Sequence, residues 1–197
     1  MKKNGIIFAV ACVLILGISF GGYAFYNHQQ EQKAEEAAAK KLKKREADYK
    51  ERLSTFPVGV INAMTYAEKV GDSYLDVWQK AVFEDSVTIE GKDYSDFNDA
   101  LLAQTKLLAS EGTIEDAESA KSILALSYSN LKTDIPAKYE EDFKTIKALY
   151  NSSMDYINLA LSPTGSYQTY SEATSDKKTD ALSDYEKAVT EFQPISE

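Results

Sequence analysis

The sequence predicts an all-α protein: an N-terminal transmembrane helix, a helical stalk, then an antiparallel bundle of four to five helices. Three observations predict it. Residues 5–26 form an uncharged apolar run, residues 27–55 are rich in Ala, Glu, Lys and Gln without Gly or Pro, and beyond them apolar residues recur at helical spacing. Gly (9) and Pro (4) are scarce in a chain of 197 residues, whereas sheet-rich domains need frequent turn residues.

The first element is the run GIIFAVACVLILGISFGGYAFY, preceded by Lys2 and Lys3. As a helix it spans about 33 Å, enough for a hydrocarbon core of roughly 30 Å. Tyr23 and Tyr26 stand at its outer end, where amphipathic rings favour the interface. A short basic N-terminus (1–4) stays in the cytoplasm and the rest of the chain faces outward, because long domains translocate largely regardless of charge. Two processing alternatives exist. Gly22-Tyr23-Ala24 has the small-x-small form of a signal-peptidase site, which would release a secreted domain. Ala9-Val10-Ala11-Cys12 loosely resembles a lipobox, which would anchor the chain by lipid at Cys12.

The second element, residues 27–55, is a charged stalk of strong helix formers, with Glu36 and Lys40 spaced to support one another. At about 1.5 Å per residue it could lift a domain roughly 40 Å from the bilayer. Its apolar positions are mostly Ala, with Leu42, Tyr49 and Leu53, and Phe56-Pro57 is expected to end it. Residues 56–197 then form the bundle. A first stripe, Val60, Met64, Ala67, Val70, Tyr74, Val77, Trp78 and Ala81, predicts a helix over 57–83. Residues 86–93, SVTIEGKD, read as a loop, since a lone strand has no partner.

A second bundle helix over 95–110 carries Tyr94, Phe97, Leu101, Thr105 and Leu108, with Gly112 just past its end. A third opens at Thr113, which has capping-box spacing to Asp116, and carries Ile114, Ala117, Leu124, Tyr128 and Leu131. A fourth over 136–161 starts with Pro136, has Glu140, Glu141 and Asp142 near its positive end, and carries Tyr139, Phe143, Ile146, Tyr150, Ile157 and Leu161. After Ser162-Pro163-Thr164-Gly165, a fifth over 166–192 carries Tyr167, Tyr170, Leu182, Tyr185, Val189 and Phe192. Short connections imply antiparallel neighbours.

Charge divides along the chain. Residues 27–55 hold 8 basic and 6 acidic residues (8 − 6 = +2), and residues from 56 onward hold 12 and 25 (12 − 25 = −13). A domain that acidic repels phosphate backbones, which argues against nucleic-acid partners. Neither a catalytic group nor a metal or cofactor site is expected. His28 is the only histidine and Cys12 the only cysteine, both beside or within the apolar run, and di-metal bundles need Glu-x-x-His pairs. Two features point to binding instead. Lys40, Lys41, Lys43, Lys44 and Arg45 form a basic cluster fit for polyanion contact, although a solvated stalk is the plainer reading. Tyr167 and Tyr170 offer rigid area with a hydrogen-bonding tip for a partner, although both fall on a core stripe and packing is the plainer reading.

MKKNG before the span, the AEEAAAKKLKKREADYKER stalk and the SPTGSY turn between two long helices give a layout that resembles uncharacterised single-pass exported proteins of Gram-positive bacteria, some of them prophage-borne. The resemblance implies an envelope role, one form of which is blocking phage DNA entry (superinfection exclusion). The expectation is a non-catalytic, membrane-anchored extracytoplasmic module that binds a protein or wall polymer. The alternative class is an enzyme or small-ligand receptor using a cleft between helices. A buried pocket of convergent polar groups would favour the alternative, and an exposed aromatic patch would favour recognition.

Overall fold

The computed structural model describes residues 3–192, with side chains described at position 30 and from 32 to 192. Its elements are helix α1 (Lys3–Phe83), strands β1 (Val87–Ile89) and β2 (Lys92–Tyr94), helices α2 (Phe97–Ser110) and α3 (Thr113–Lys132), a 3-10 turn (Ala137–Tyr139), and helices α4 (Glu140–Ala160) and α5 (Tyr167–Phe192). The protein is all-α apart from one short strand pair. It divides into two compact units, Met1–Asp48 and Tyr49–Glu197.

In the first unit the described side chains are mostly exposed, Leu42 among them. The side chains of the expected anchor, 5–26, lie outside the described residues, as do Cys12, Ala24 and His28. Among the described residues no helix is long and apolar enough to cross a membrane.

The second unit is a helical bundle. Its longest core stripe lies on α1: Tyr49, Leu53, Phe56, Val60, Ala63, Ala67, Val70, Tyr74, Val77 and Ala81 are all buried. They alternate at spacings of four and three, the seam of helices packed at small crossing angles. The stripe runs through Pro57, so the expected helix end there is corrected: α1 continues, with Pro57 inside it. Proline forfeits one backbone hydrogen bond and crowds the carbonyl four residues back, at a cost of about 3 kcal/mol. Tyr49, Leu53 and Phe56 are at most 3% exposed, and burial is worth about 1.5–3 kcal/mol for each such side chain. Keeping their phase outweighs the break. Tyr49 and Leu53 are therefore core residues, although the sequence reading places them on the stalk; the Tyr49 hydroxyl donates to the Leu131 carbonyl at 3.0 Å.

Residues 86–93 correct a second expectation. Val87 pairs with Tyr94, Thr88 with Asp93 and Ile89 with Lys92, an antiparallel hairpin. The partner strand is Lys92–Tyr94, folded back across Glu90 (φ 49°) and Gly91 (φ 78°), the two left-handed residues of a tight hairpin turn. A lone hairpin is marginal in water. Here Val87 and Ile89 are buried in one cluster with Val77, Ala81 and Ala100.

Asp96 caps α2, accepting from the Asn98 and Asp99 amides at 2.8 and 3.0 Å. The left-handed Gly112 (φ 76°) then stands at the N-cap of α3 without any side-chain cap bond, so the expected Thr113 to Asp116 capping box is corrected: Thr113 is already the first helical residue. Pro136 likewise precedes a 3-10 turn, and α4 begins at Glu140. Between α4 and α5, Gly165 (φ 86°) turns the chain. Ser166 and Thr169 then cap reciprocally, the Ser166 amide donating to Thr169 Oγ1 at 2.9 Å and the Thr169 amide to Ser166 Oγ at 3.2 Å.

On α5 the deepest residues are Tyr170, Ala181 and Ala188, at 0–1% exposure, whereas the expected Leu182, Tyr185 and Val189 are half-buried. Between Tyr170 and Phe192, small side chains (Thr174, Ala181 and Ala188) occupy the innermost line, and Leu182, Tyr185 and Val189 flank it. Tyr128 bridges α3 to α4, its ring stacked on Tyr150 with centroids 3.9 Å apart.

Candidate functional site

One end of the bundle carries a groove of about 330 Å³ built by three elements: Trp78, Val82 and Phe83 from the last turns of α1, Phe97 from the start of α2, and Gly165 to Gln168 from the turn into α5. The core phase of α1 explains half of it. Buried positions follow the four-three alternation as far as Ala81, and Val82 and Phe83 fall out of that phase just before the helix ends. Val82 is 45% exposed and Phe83 67%.

Trp78 lies beneath, 2% exposed, with the Phe97 ring stacked against it (centroids 5.9 Å apart, 10° between planes) and Tyr170 on it at 5.9 Å. Phe83 meets Tyr167 edge-on at 5.5 Å and 79°. The groove thus has an aromatic floor and two aromatic walls, an arrangement suited to holding a flat or extended apolar ligand. Polar groups are few: Ser166 is engaged with Thr169, and Gln168 donates to Glu172 at 2.9 Å.

The two tyrosines singled out in the sequence separate here. Tyr167 is half-buried and lines the groove. Tyr170 is 1% exposed, and its hydroxyl donates to the Ala160 carbonyl at 2.9 Å, which corrects its reading as a contact residue: it has no face for a partner. Burial pushes the Tyr170 phenol well above its usual range. The groove residues that sequence reasoning missed are Phe83 and Phe97. Phe97 falls on the apolar stripe of α2 but is 37% exposed. The available signal was Phe83, an aromatic standing outside the α1 phase.

Lys40, Lys41, Lys43 and Lys44 are exposed and Arg45 is half-buried, all on α1 within the first unit. At 100° per residue they cover about 200° of helix circumference, a broad basic face rather than a pocket.

Two other places were candidates for chemistry. Lys178 of α5 is ion-paired to Glu68 of α1, and the Asp72 carboxyl close by is raised by partial burial and by the Glu68 charge, with Lys178 opposing. Both paired side chains are more than a third exposed, so the bridge adds little to stability. A smaller cleft of about 180 Å³ between α1 and α3 is lined by Arg52, Thr55, Ser127 and Asn130, among others. Arg52 there donates to the Asn130 carbonyl at 3.1 Å and lies 5.2 Å over the Tyr49 ring. Glu140, Glu141 and Asp142 occupy the first turn of α4, where the helix dipole favours them, and Glu141 binds Lys144 at 2.7 Å. Among the described residues no group of three or more His, Cys, Asp or Glu side chains is placed to hold a metal ion.

Compared with protein-family models, curated proteins and solved structures, the chain matches none.

Proposed function

We propose that this chain is a non-catalytic, membrane-anchored module that holds its helical bundle on the extracytoplasmic side and binds a protein or envelope component through the aromatic groove. The observation that carries the reading is the exposure of Phe83 and Phe97 in one groove that Trp78, itself buried, also lines. Exposed aromatic area gathered from three separate elements marks an interaction surface, because leaving it in water forgoes burial that packing elsewhere would have provided. The uncharged run at 5–26, preceded by Lys2 and Lys3, supports the anchored, outward topology.

The test has two arms in cells expressing the full chain. Protease added to intact cells should digest the C-terminal portion, and a photo-crosslinking phenylalanine analogue at position 83 should give a discrete adduct that the same analogue at the exposed Ile123 does not. Protection of the C-terminal portion from protease would overturn the topology. Equal or absent adducts at the two positions would overturn the recognition surface.

A further inference from the structure

We infer that the groove takes a short basic and apolar segment of a partner polypeptide, in which an arginine or lysine is held against the Phe83 and Phe97 rings next to an apolar side chain. The inference rests on the recognition reading above and adds the chemistry of the occupant.

Charge complementarity carries it. The residues lining the groove are uncharged, but those flanking them are carboxylates. Glu84 and Asp85 follow Phe83, Asp96 precedes Phe97, and Glu172 lies one helical turn from Gln168. Lys80 also flanks them; Asp76 holds it at 2.7 Å and the Glu84 charge acts on it as well. The surrounding chain from residue 56 onward carries 12 basic against 25 acidic residues, so the wider field has the same sign. That rim repels an anionic ligand and gives a neutral one hydrogen bonds at most, whereas a cation gains from the carboxylates at the edge and from the negative faces of the rings at the centre. Guanidinium fits best, since it is planar, weakly hydrated and stacks on aromatic faces. The apolar neighbour is required by Val82 and by the exposed part of Phe83, which a lone cation would leave wet.

The protein contains its own reporter. Trp78 is the chain's one tryptophan and lies under the groove, so occupancy changes its fluorescence. The full chain in neutral detergent is titrated with three peptides lacking aromatic residues: alternating Leu and Arg, the same with neutral citrulline for Arg, and the same with Glu. The Leu-Arg peptide should shift Trp78 emission saturably. The citrulline peptide should bind about tenfold more weakly, the Glu peptide should not bind, and added salt should weaken the Leu-Arg peptide. Phe83→Leu, which keeps apolar area but removes the ring, should weaken binding several-fold, and Ile123→Leu should leave it unchanged.

Equal binding of the Arg and citrulline peptides, no effect of Phe83→Leu, or no emission change with any peptide would each overturn the inference. If the adduct at position 83 persists in those cases, the recognition reading stands without it; if the adduct is also absent, both fall.

Discussion

Replacing Gly71 by leucine tests the packing of α1 on α4 at one contact. A Cβ built on Gly71 would lie 3.2 Å from the Ala160 Cβ and 3.5 Å from its Cα and carbonyl oxygen. Alanine at 71 would gain about 1 kcal/mol of helix propensity and needs a shift of a few tenths of an ångström, so its net effect should be near zero. Leucine brings the bulk of its side chain into the same contact. Ala160 cannot retreat freely, because Ile157 is fully buried beside it and its carbonyl receives the Tyr170 hydroxyl. Overpacking at about 3 kcal/mol, less about 1 kcal/mol of propensity, leaves a loss of about 2 kcal/mol, or a Tm lower by about 4–8 °C. Urea unfolding of the full chain in neutral detergent, followed by helix ellipticity, measures it. Ala160→Gly made together with Gly71→Leu should recover at least about 1 kcal/mol in a double-mutant cycle. An unchanged urea midpoint for Gly71→Leu, or a double variant no better than the sum of the singles, would refute the close approach.

Three further outcomes follow from the core and its phenols. Leu149, fully buried, should lose about 2–5 kcal/mol on substitution by alanine, whereas Leu126→Ala, at a position 63% exposed, should change stability by less than about 0.5 kcal/mol; equal effects in urea would contradict the assignment of the α3 and α4 faces. Tyr170→Phe leaves the ring against Trp78 but removes the hydroxyl bound to the Ala160 carbonyl, which should cost about 1 kcal/mol and is read in the same experiment. Alkaline pH should unfold the bundle. The phenols of Tyr156 and Tyr170 are raised, mainly by burial, so the folded chain keeps protons that the unfolded chain releases. Their contribution is complete below the unfolded value of about 10 and falls as pH rises beyond it. Phenolate absorbance and ellipticity recorded together should show some tyrosines ionising only as helix is lost, and ionisation of all 13 tyrosines with helix intact would refute it.

Much of the fold is legible in the sequence because helix phase is a local property. The stripe from Val60 to Ala81 is buried as spaced, and so are Leu124, Leu131, Ile146 and Ile157. The same alternation extends back through Phe56, Leu53 and Tyr49, but local rules weigh Pro57 against it and stop the helix. Only the summed burial of those three side chains, in the core cluster they share with residues of α3 and α4, decides that the helix runs on. The hairpin escaped for a related reason: its second strand, Lys92–Tyr94, has no apolar alternation of its own, and its pairing is secured by the cluster that Val87 and Ile89 join.

The candidate site was less legible than the fold. Its aromatics are separated in sequence by 14 residues between Phe83 and Phe97 and by 70 between Phe97 and Tyr167, and no spacing rule links them. By itself the sequence determined the all-helical class, the phase of the core stripes on α1, α3 and α4, the acidic character of the bundle, and the expectation of an apolar anchor. Tertiary structure alone decided that α1 passes through a proline, that Ala181 and Ala188 rather than Leu182, Tyr185 and Val189 take the innermost positions of α5, and that Phe83 and Phe97 line one groove. The first set depends on residues within a few turns of one another, whereas the second depends on energies summed over side chains that only folding brings together.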